Sequence, residues 1–426
     1  MGQLLKLGEL PQNATTAPTY TPAHLVQRDF GTLSEAVENT AAALALTATE
    51  RDRSGGTAWT ERQALRDSGL LKLSVPAAFG GPETPWPTIY KIIRRFAEVD
   101  SSLAHLFGFQ HLQVASVVLF GNPEQKSLYL GKTVSENWFW GNATNGLDTR
   151  ATLTLREGEG NDDSGSGGYY ELNGIKSFCS GATGSDMINI TAPRSADPAD
   201  RVFLSIPTSR TGVKVLDDWD NLGQRQTDSG SVTFDKVRVE KNEVLGPPGT
   251  SGTPRATLRT LVSQLILIEI YIGNAQGALL NAWKYTHEQG RPWFTSGLDR
   301  AIDDPFTQQH YGDLWIALRG AIALAEAAAL QLQRAWDKGD DLTAEERGQL
   351  AVTIYEAKIA AARAALDITS KIFEVMGARA TAAKYGFDRF WRNVRVHTLH
   401  DSLDYKLKDI GQWVLTGEVP VPSIYS

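Results

Sequence analysis

The spacing of apolar residues changes twice along this chain of 426 residues, and the change limits the folds that it can adopt. Residues 32–121 place apolar side chains three or four positions apart, as helices do, whereas 134–245 alternate in short runs, as strands do. Helical spacing then returns. The pattern predicts an α+β fold with four segments: a disordered tail (1–21), an N-terminal helical domain (22–133), a small β-barrel or sandwich (134–249) and a C-terminal four-helix bundle (250–426).

Local signals refine this prediction. Asn173 and Gly174 stand between two short strand-like runs and predict a two-residue hairpin. The stretches 60–63 and 343–346 have the spacing of capping boxes and predict two helix starts. The glycine-rich stretch 157–168 lacks a complete dinucleotide-binding fingerprint, so it is interpreted as a loop rather than a phosphate site.

Composition and charge exclude several classes of function. The formal net charge of −7 at pH 7 argues against a nucleic-acid partner. Cys179 is the only cysteine, so an intrachain disulfide is impossible and a cytoplasmic protein is expected. Polar residues interrupt the longest apolar run, 258–280, which favours a buried helix over a membrane span. No histidine and carboxylate set has the spacing of a zinc site, so no metal is expected.

Residues 385–406 hold the densest cluster of chemically versatile side chains. Its three arginines, its two histidines and two of its aspartates lie among aromatic residues: Arg389, Arg392, Arg395, His397, His400, Asp388 and Asp401. Arginine binds phosphate or carboxylate through a planar set of donors, and histidine exchanges protons near neutral pH. If the stretch is one helix, His397 and His400 share a face. The alternative interpretation is a buried helix whose charges pair with one another.

Several motifs resemble those of the acyl-CoA dehydrogenase superfamily, in which helical, β and helical-bundle domains follow in the same order. The sequence Leu-Ser-Val-Pro-Ala-Ala-Phe-Gly-Gly at 73–81 is similar to its N-terminal signature, and 170–182 is similar to the strand pair that contacts its flavin. The resemblance is closest to the superfamily's flavin-dependent dibenzothiophene monooxygenases. It runs from about residue 25 to the C-terminus through collinear motifs at 105–108, 140–143, 178–182, 217–219, 225–230, 290–293, 336–340 and 385–400.

This resemblance implies a two-component flavin-dependent monooxygenase. Such an enzyme uses O2 and reduced FMN, supplied by a separate flavin reductase, to oxygenate a small (hetero)aromatic sulfur compound such as dibenzothiophene to its sulfoxide or sulfone. FAD is a less favoured cofactor. The resemblance also implies a homotetramer, because flavin sites in the superfamily borrow residues from a neighbouring subunit. The chain has no nicotinamide-binding fingerprint and no P-loop, which is consistent with reduced flavin arriving from another protein.

The resemblance also implies roles for individual residues. Three are expected to surround the oxygen-reacting position: His105, Ser180 and His400. Six are expected to bind the flavin: Asn142, Phe178, Ser180, Trp219, Arg291 and Arg379. Two are expected to line the substrate pocket: Phe109 and Trp140. Residue chemistry alone leaves other roles open, namely core packing for the aromatic residues, strand-end hydrogen bonds for the small polar ones and a solvated charge for the arginines.

Four positions depart from the resemblance. Phe109 stands where the monooxygenases have a tyrosine, and Ser177 stands where they have a histidine. Asp401 and Ser402 stand where acyl-CoA dehydrogenases have the catalytic glutamate and a glycine. Three other functions stay open: an FAD-dependent acyl-CoA dehydrogenase or oxidase with Asp401 as its base, an N-hydroxylating flavin monooxygenase, and a helical scaffold without catalysis.

Overall fold

A computed structural model of the chain describes residues 24–26, 28–156, 168–195, 200–246 and 252–422. The described chain begins with a layer of helices: α1 (Ser34–Ser54), α2 (Trp59–Asp67), α3 (Trp86–Ala97), α4 (Ser101–Phe120) and α5 (Pro123–Ser135). Every residue of α4 is buried, so this helix forms the centre of the layer. The predicted tail, 1–21, and most of the glycine-rich stretch 157–168 lie outside the described residues.

Seven strands follow in the described part of the chain: β1 (Trp140–Ala143), β2 (Thr152–Arg156), β3 (Tyr169–Lys176), β4 (Met187–Pro193), β5 (Arg201–Pro207), β6 (Val213–Val215) and β7 (Val232–Val239). They form two sheets, in the orders β1-β4-β5 and β2-β3-β7-β6. Strands β1 and β4 are parallel, and the other pairs are antiparallel. One apolar cluster, which includes Leu172, Ile190, Leu204 and Val237, takes residues from both sheets. The predicted small β-sandwich is confirmed.

The predicted hairpin at Asn173 and Gly174 is wrong, because β3 continues through both residues. Both halves of β3 pair with β7, and the register shifts between Leu172 and Gly174. Gly174 has φ +114°, and a Cβ there would lie 2.1 Å from the carbonyl oxygen of Arg150. The Asn173 side chain accepts a hydrogen bond from the backbone N–H of Lys236 (2.8 Å). Between the flanking pairs, Asn173 alone stands opposite two residues of β7, Asp235 and Lys236, so β7 has a bulge beside the Asn-Gly pair.

The rest of the described chain is helical: α6 (Leu258–Gln289), α7 (Pro305–Asp337), α8 (Ala344–Met376), α9 (Asp388–His397) and α10 (Leu403–Thr416). The helices α6, α7 and α8 pack through apolar faces that repeat every three or four residues. The capping box predicted at 343–346 is confirmed at the start of α8. The one predicted at 60–63 is wrong, since α2 begins without a side-chain cap.

The stretch 385–406 is not one helix. Helix α9 ends at His397, and α10 begins only at Leu403. His400 lies in the connecting loop, so the prediction that His397 and His400 share a helix face is wrong. Both histidines nevertheless approach the same region of the structure from different backbone positions, as described below.

Helices α3 and α6 approach each other closely at two glycines. A Cβ on Gly273 would lie 2.3 Å from the carbonyl oxygen of Arg94, and a Cβ on Gly277 would lie 2.1 Å from that of Glu98. Beside them, Arg94 donates hydrogen bonds to both carboxylate oxygens of Glu269, at 2.6 and 3.1 Å. Small residues and a buried ion pair therefore join the N-terminal helical layer to the C-terminal helices.

Two helices are long and apolar enough to cross a membrane, α4 and α6. In this fold, 100% and 89% of their most apolar stretches are buried inside the protein. Both are therefore core helices, as the polar interruptions of 258–280 predict.

Candidate active site

Helix α4 carries His105 into the protein interior. The Asp100 side chain caps the helix by accepting a hydrogen bond from the backbone N–H of Leu103 (3.0 Å). The buried His105 ring stacks on Phe109 one turn later, with ring centroids 4.0 Å apart. Neither ring nitrogen of His105 has a hydrogen-bond partner among the described residues. Because unpaired buried polar atoms are costly, these nitrogens are suited to a bound group.

His397 lies next to His105, with their ring centroids 4.9 Å apart. Its backbone carbonyl accepts a hydrogen bond from the Tyr271 hydroxyl on α6 (2.9 Å), which fixes the end of α9. Burial, and secondly the nearby His400, lower the pKa of His105 to about 3. Burial likewise lowers the pKa of His397 well below its usual range. Both imidazoles are therefore neutral at physiological pH.

His400 is the more accessible histidine of this group, with a side chain 34% exposed. Its Nδ1 lies 3.1 Å from Oδ1 of Asp401. Lys358 on α8 donates to the same oxygen at 2.8 Å, and Nζ of Lys406 on α10 lies 2.8 Å from Oδ2. Burial alone would raise the pKa of Asp401, but Lys358, His400 and Lys406 hold it well below its usual range. Asp401 is therefore a stable carboxylate and a weak base.

Ser180 and Phe178 lie on the loop after β3. The Ser180 hydroxyl is 2.7 Å from the Ser229 hydroxyl, which is 2.7 Å from the hydroxyl of Thr227. Phe178 has φ +58°, its side chain is 56% exposed, and its ring meets Trp219 edge to face with centroids 6.0 Å apart. The exposed Phe178 ring, on a strained backbone and beside the partly buried Trp219, offers an apolar face to a planar ring system.

This loop packs against α4 directly beside His105. A Cβ on Gly181 would lie 3.1 Å from the side chain of Leu106. The structure therefore brings together the segments that carry Ser180 and His105. His400 follows three residues after His397, whose ring centroid lies 4.9 Å from that of His105. The three residues predicted around the oxygen-reacting position thus come from three separate parts of the chain.

Strand β1 supplies Asn142 next to this loop. Its Oδ1 accepts hydrogen bonds from the Gln113 amide (3.2 Å) and from the Thr144 hydroxyl (2.6 Å). Its backbone N–H donates to the carbonyl oxygen of Ser180 (3.1 Å). Asn142 is therefore held rigidly at the junction of the sheet, α4 and the Ser180 loop.

Trp140, two residues earlier on β1, is a core residue. It packs on Tyr129 and donates a hydrogen bond through Nε1 to the Thr133 hydroxyl (2.9 Å). It belongs to a different apolar cluster from Phe109. The structure thus does not bring the two predicted pocket residues together, and the placement of Trp140 does not support its predicted role.

Arg291 and Arg379 lie near each other at the C-terminal end of α6, and both are exposed. The Arg379 guanidinium donates to the carbonyl oxygen of Gln289 (3.1 Å), two residues before Arg291. Near the other end of α6, Gln264 lies 3.4 Å from Asp401. His397 of the same chain is hydrogen-bonded to Tyr271, so about 18–25 residues of helix, or ~27–37 Å, separate the arginines from the histidine cluster.

Sequence reasoning missed the residues that surround Asp401. Lys358 donates to Oε1 of Gln264 (2.6 Å) as well as to Asp401. The sequence held one sign that Lys358 is buried. It lies four residues after Ile354 and three after Tyr355, on the apolar face of α8. A lysine at such a position needs a buried partner. No comparable signal marks Lys406.

Models of three successive family domains match the chain. They are the acyl-CoA dehydrogenase N-terminal domain at residues 31–137, the middle domain at 141–237 and the C-terminal domain at 265–405. The chain belongs to the acyl-CoA dehydrogenase family. Its order of helical, β and helical parts is the one that the sequence predicts.

Individual relatives narrow the class within this family. A probable FMNH2-dependent monooxygenase, SfnC of Pseudomonas putida, is 48% identical over 382 residues, covering 90% of this chain and 94% of that protein. The dibenzothiophene monooxygenase of Rhodococcus qingshengii is 44% identical over 393 residues, covering 89% and 92%. The structure of methanesulfinate monooxygenase MsuC from Pseudomonas fluorescens matches with TM-score 0.87 at 47% identity, covering 93% and 100%. The predicted flavin-dependent monooxygenase class and the predicted cofactor, FMN, are confirmed.

The residues present fit a flavin. The exposed Phe178 and the partly buried Trp219 offer an apolar face to its ring, and Asn142 and Ser180 place polar groups beside that face. The unpartnered nitrogens of His105 offer hydrogen bonds. Among the described residues, no group of three or more His, Cys, Asp or Glu side chains could hold a metal ion.

Proposed function

We propose that this enzyme uses reduced FMN and O2 to oxygenate a (hetero)aromatic sulfur compound such as dibenzothiophene. One oxygen atom forms the new S–O bond of the sulfoxide, and the other leaves as water with the two hydrogens of reduced FMN. A second round gives the sulfone. The observation that carries the proposal is the meeting of two buried, neutral imidazoles, His105 and His397, with the loop of Ser180.

The residues of the chain have distinct tasks in this proposal. Reduced FMN supplies the electrons that activate O2. Phe178 and Trp219 cover one face of its ring. His105 and Ser180 offer neutral hydrogen bonds at the oxygen-reacting position, and His400 exchanges a proton there. The burial of α4 and of both inner imidazoles keeps water away from the reacting oxygen.

Asp401 is poorly suited to the alternative, an acyl-CoA dehydrogenase. A dehydrogenase base works best when its pKa lies near the working pH. Lys358 and Lys406 instead keep the pKa of Asp401 well below its usual range, against the effect of burial. The carboxylate is also only 4% exposed. These contacts favour a monooxygenase in which Asp401 accepts hydrogen bonds and does not abstract a proton from substrate.

The proposal is tested by supplying the purified protein with FMN, NADH, a flavin reductase and dibenzothiophene under ¹⁸O2. We expect dibenzothiophene sulfoxide that carries one ¹⁸O atom. The same mixture without the protein controls for free reduced FMN. Anaerobic bleaching of a bound flavin by an acyl-CoA, with no oxygenated sulfur compound under ¹⁸O2, would instead establish the dehydrogenase.

We further infer a cytoplasmic homotetramer whose FMN sites are shared between subunits, with a flavin reductase as a transient partner. The support is the ~27–37 Å of helix between Arg291 and the histidine cluster of the same chain, which one FMN does not bridge. In a shared site, Arg291 and Arg379 hold the phosphate of an FMN whose ring lies against Ser180 of a neighbouring subunit.

Subunit sharing makes a complementation result expected. At an FMN concentration near the parent Kd, Arg291→Ala and Ser180→Ala are each expected to have little activity, but hybrids assembled from equal amounts should regain parent activity in about a quarter of their sites. Light scattering on the hybrids reports the number of subunits. A stable monomer that binds FMN, or hybrids no more active than either parent variant, would exclude the shared site.

Arg291→Ala is expected to weaken FMN binding by about 1.5–3 kcal/mol, roughly ten- to a hundredfold in Kd, because one charge-assisted hydrogen bond to the phosphate is lost. Fluorescence titration with FMN measures this change. Arg300→Ala is the matched control, since Arg300 is an exposed arginine of the same segment that pairs with Asp303 at 2.8 Å. Equal FMN affinity for Arg291→Ala and the parent protein would show that Arg291 does not bind the FMN phosphate.

A further inference from the structure

Arg259, in the first turn of α6, is a partly buried cation without a carboxylate partner in the described part of the chain. Its Nε donates a hydrogen bond to the Ser116 hydroxyl on α4 (2.7 Å), and its Nη2 donates to the hydroxyl of Thr144, which follows β1 (3.0 Å). The guanidinium also lies over the ring of Phe203, 4.9 Å from the ring centroid. These neutral contacts fix the orientation of the guanidinium and leave its charge unbalanced.

The lack of an acidic partner separates Arg259 from other buried arginines of this protein. Arg62 contacts Asp228 and Arg94 contacts Glu269, each at 2.6 Å. Burial lowers the pKa of Arg259 to about 10, and no carboxylate among the described residues offsets that effect. The side chain is still cationic at neutral pH. Because a buried charge is costly without a counter-ion, this position favours the binding of an anion.

Hydrogen bonds connect Arg259 to the candidate active site. The Thr144 hydroxyl, which accepts from Arg259, donates in turn to Oδ1 of Asn142 (2.6 Å). The backbone N–H of Asn142 donates to the carbonyl oxygen of Ser180 (3.1 Å). Two hydrogen bonds in series therefore join the guanidinium to a residue that is predicted to bind the flavin.

Helix α4 gives the separation between this guanidinium and the oxygen-reacting position. Ser116, which accepts from Arg259, lies 11 residues after His105 and 7 after Phe109. This spacing places the three side chains on one face of the helix. At 1.5 Å per residue, Ser116 stands ~16 Å beyond His105. A group bound by Arg259 is therefore distinct from a sulfur atom that reacts beside His105.

We propose that Arg259 binds an anionic oxyacid group, a carboxylate or a sulfonate, which the substrate carries at the end away from its reacting sulfur. The planar guanidinium offers paired N–H donors to such a group, while Ser116 and Thr144 hold the guanidinium in place. The inference rests on the proposed function, because it names the class of substrate for that same site. The expected substrate is a sulfur compound with an anionic end, and dibenzothiophene, which lacks this end, should bind less tightly.

The probe for this site is 4-(phenylthio)benzoate, compared with its neutral amide of nearly the same shape, 4-(phenylthio)benzamide. Isothermal titration calorimetry on the enzyme loaded with oxidised FMN measures the binding of each compound without turnover. The parent protein should bind the benzoate about tenfold more tightly than the amide, and Arg259→Met should weaken the benzoate alone by about ten- to a hundredfold. Arg255→Met is the matched control, since Arg255 is a partly exposed arginine of the same segment that pairs with Asp340 at 3.0 Å.

Ser116→Ala is a second variant, which keeps the guanidinium but removes a group that orients it. We expect benzoate binding to weaken by about two- to tenfold, so the test survives poor folding of Arg259→Met. Equal benzoate affinity in the parent and both variants, or equal losses for benzoate and amide, would overturn the inference.

The phosphate of FMN is a second anion with the chemistry that Arg259 favours. If Arg259→Met lost as much FMN affinity as Arg291→Ala, the guanidinium would belong to the FMN phosphate, and the inference would be wrong. If the benzoate binds as expected while the parent oxygenates no sulfur compound under ¹⁸O2, only the proposed function fails.

Discussion

Replacement of His400 by alanine is expected to lower sulfoxide formation by about 10²–10³-fold while FMN remains bound. The variant lacks the imidazole that exchanges a proton with the reacting oxygen, so reduced FMN and O2 should give hydrogen peroxide instead of product. Ser180→Ala removes a hydroxyl from the same position, and we expect a loss of similar size. Sulfoxide and hydrogen peroxide are measured together in one assay, which reports the coupling of O2 to product.

His310→Ala is the matched control for this experiment. His310 is a partly exposed histidine of α7 that pairs with Glu374 at 3.4 Å, and its loss should leave the coupling unchanged. His400→Ala keeps Asp401 between its two lysines, so the fold should persist. Full coupling in His400→Ala together with a lower melting temperature would show that His400 only supports the structure.

Glu269→Ala is expected to lower the free energy of unfolding by about 3–5 kcal/mol, because it leaves the buried guanidinium of Arg94 without its main partner. The Glu269 side chain is 1% exposed and receives two hydrogen bonds from Arg94. Glu326 also contacts Arg94, at 3.1 Å, but is 47% exposed and replaces only part of the interaction. Urea unfolding followed by circular dichroism, at one fixed protein concentration, measures the change.

Asp388→Ala is the control for Glu269→Ala. Asp388 pairs with Arg392 at 2.8 Å, but its side chain is 62% exposed, so its loss should cost less than about 1 kcal/mol. Similar losses of unfolding free energy in the two variants would mean that burial does not strengthen the pairing of Glu269 with Arg94. A loss below that of Asp388→Ala would contradict the role given to the Arg94–Glu269 pair.

The layers of the fold were predictable because helices and strands impose different spacings over long segments. The failures are local. Asn173 and Gly174 have the composition of a turn, but both halves of β3 pair with the same neighbouring strand, so tertiary pairing keeps them inside β3, opposite a bulge of β7. The stretch 385–406 contains no proline to end a helix between His397 and Leu403. The break allows Asp401 to reach Lys358, a contact that residue patterns do not show.

The roles of the site residues stay predictions. Motifs led to His105, Ser180 and His400, and the structure packs the loop of Ser180 against the helix of His105. They could not separate Trp140, which faces the core, from residues that face a pocket, because all four residues of β1 are buried. The lysines around Asp401 were missed because a lysine in a helix is normally exposed, and only the packing of α8 and α10 shows that these two are not.

The close contact at Gly273 and Gly277 sets the spacing between the helices that position His105 and His397. His105 stands on α4, directly after α3, while His397 is tied to α6 through Tyr271. Any side chain at either glycine would wedge α3 away from α6 and so widen the gap between the two imidazoles. The distance between the two imidazoles therefore depends on two glycines that do not contact them. Substitutions at these glycines should give proteins that fold but turn O2 into hydrogen peroxide instead of product.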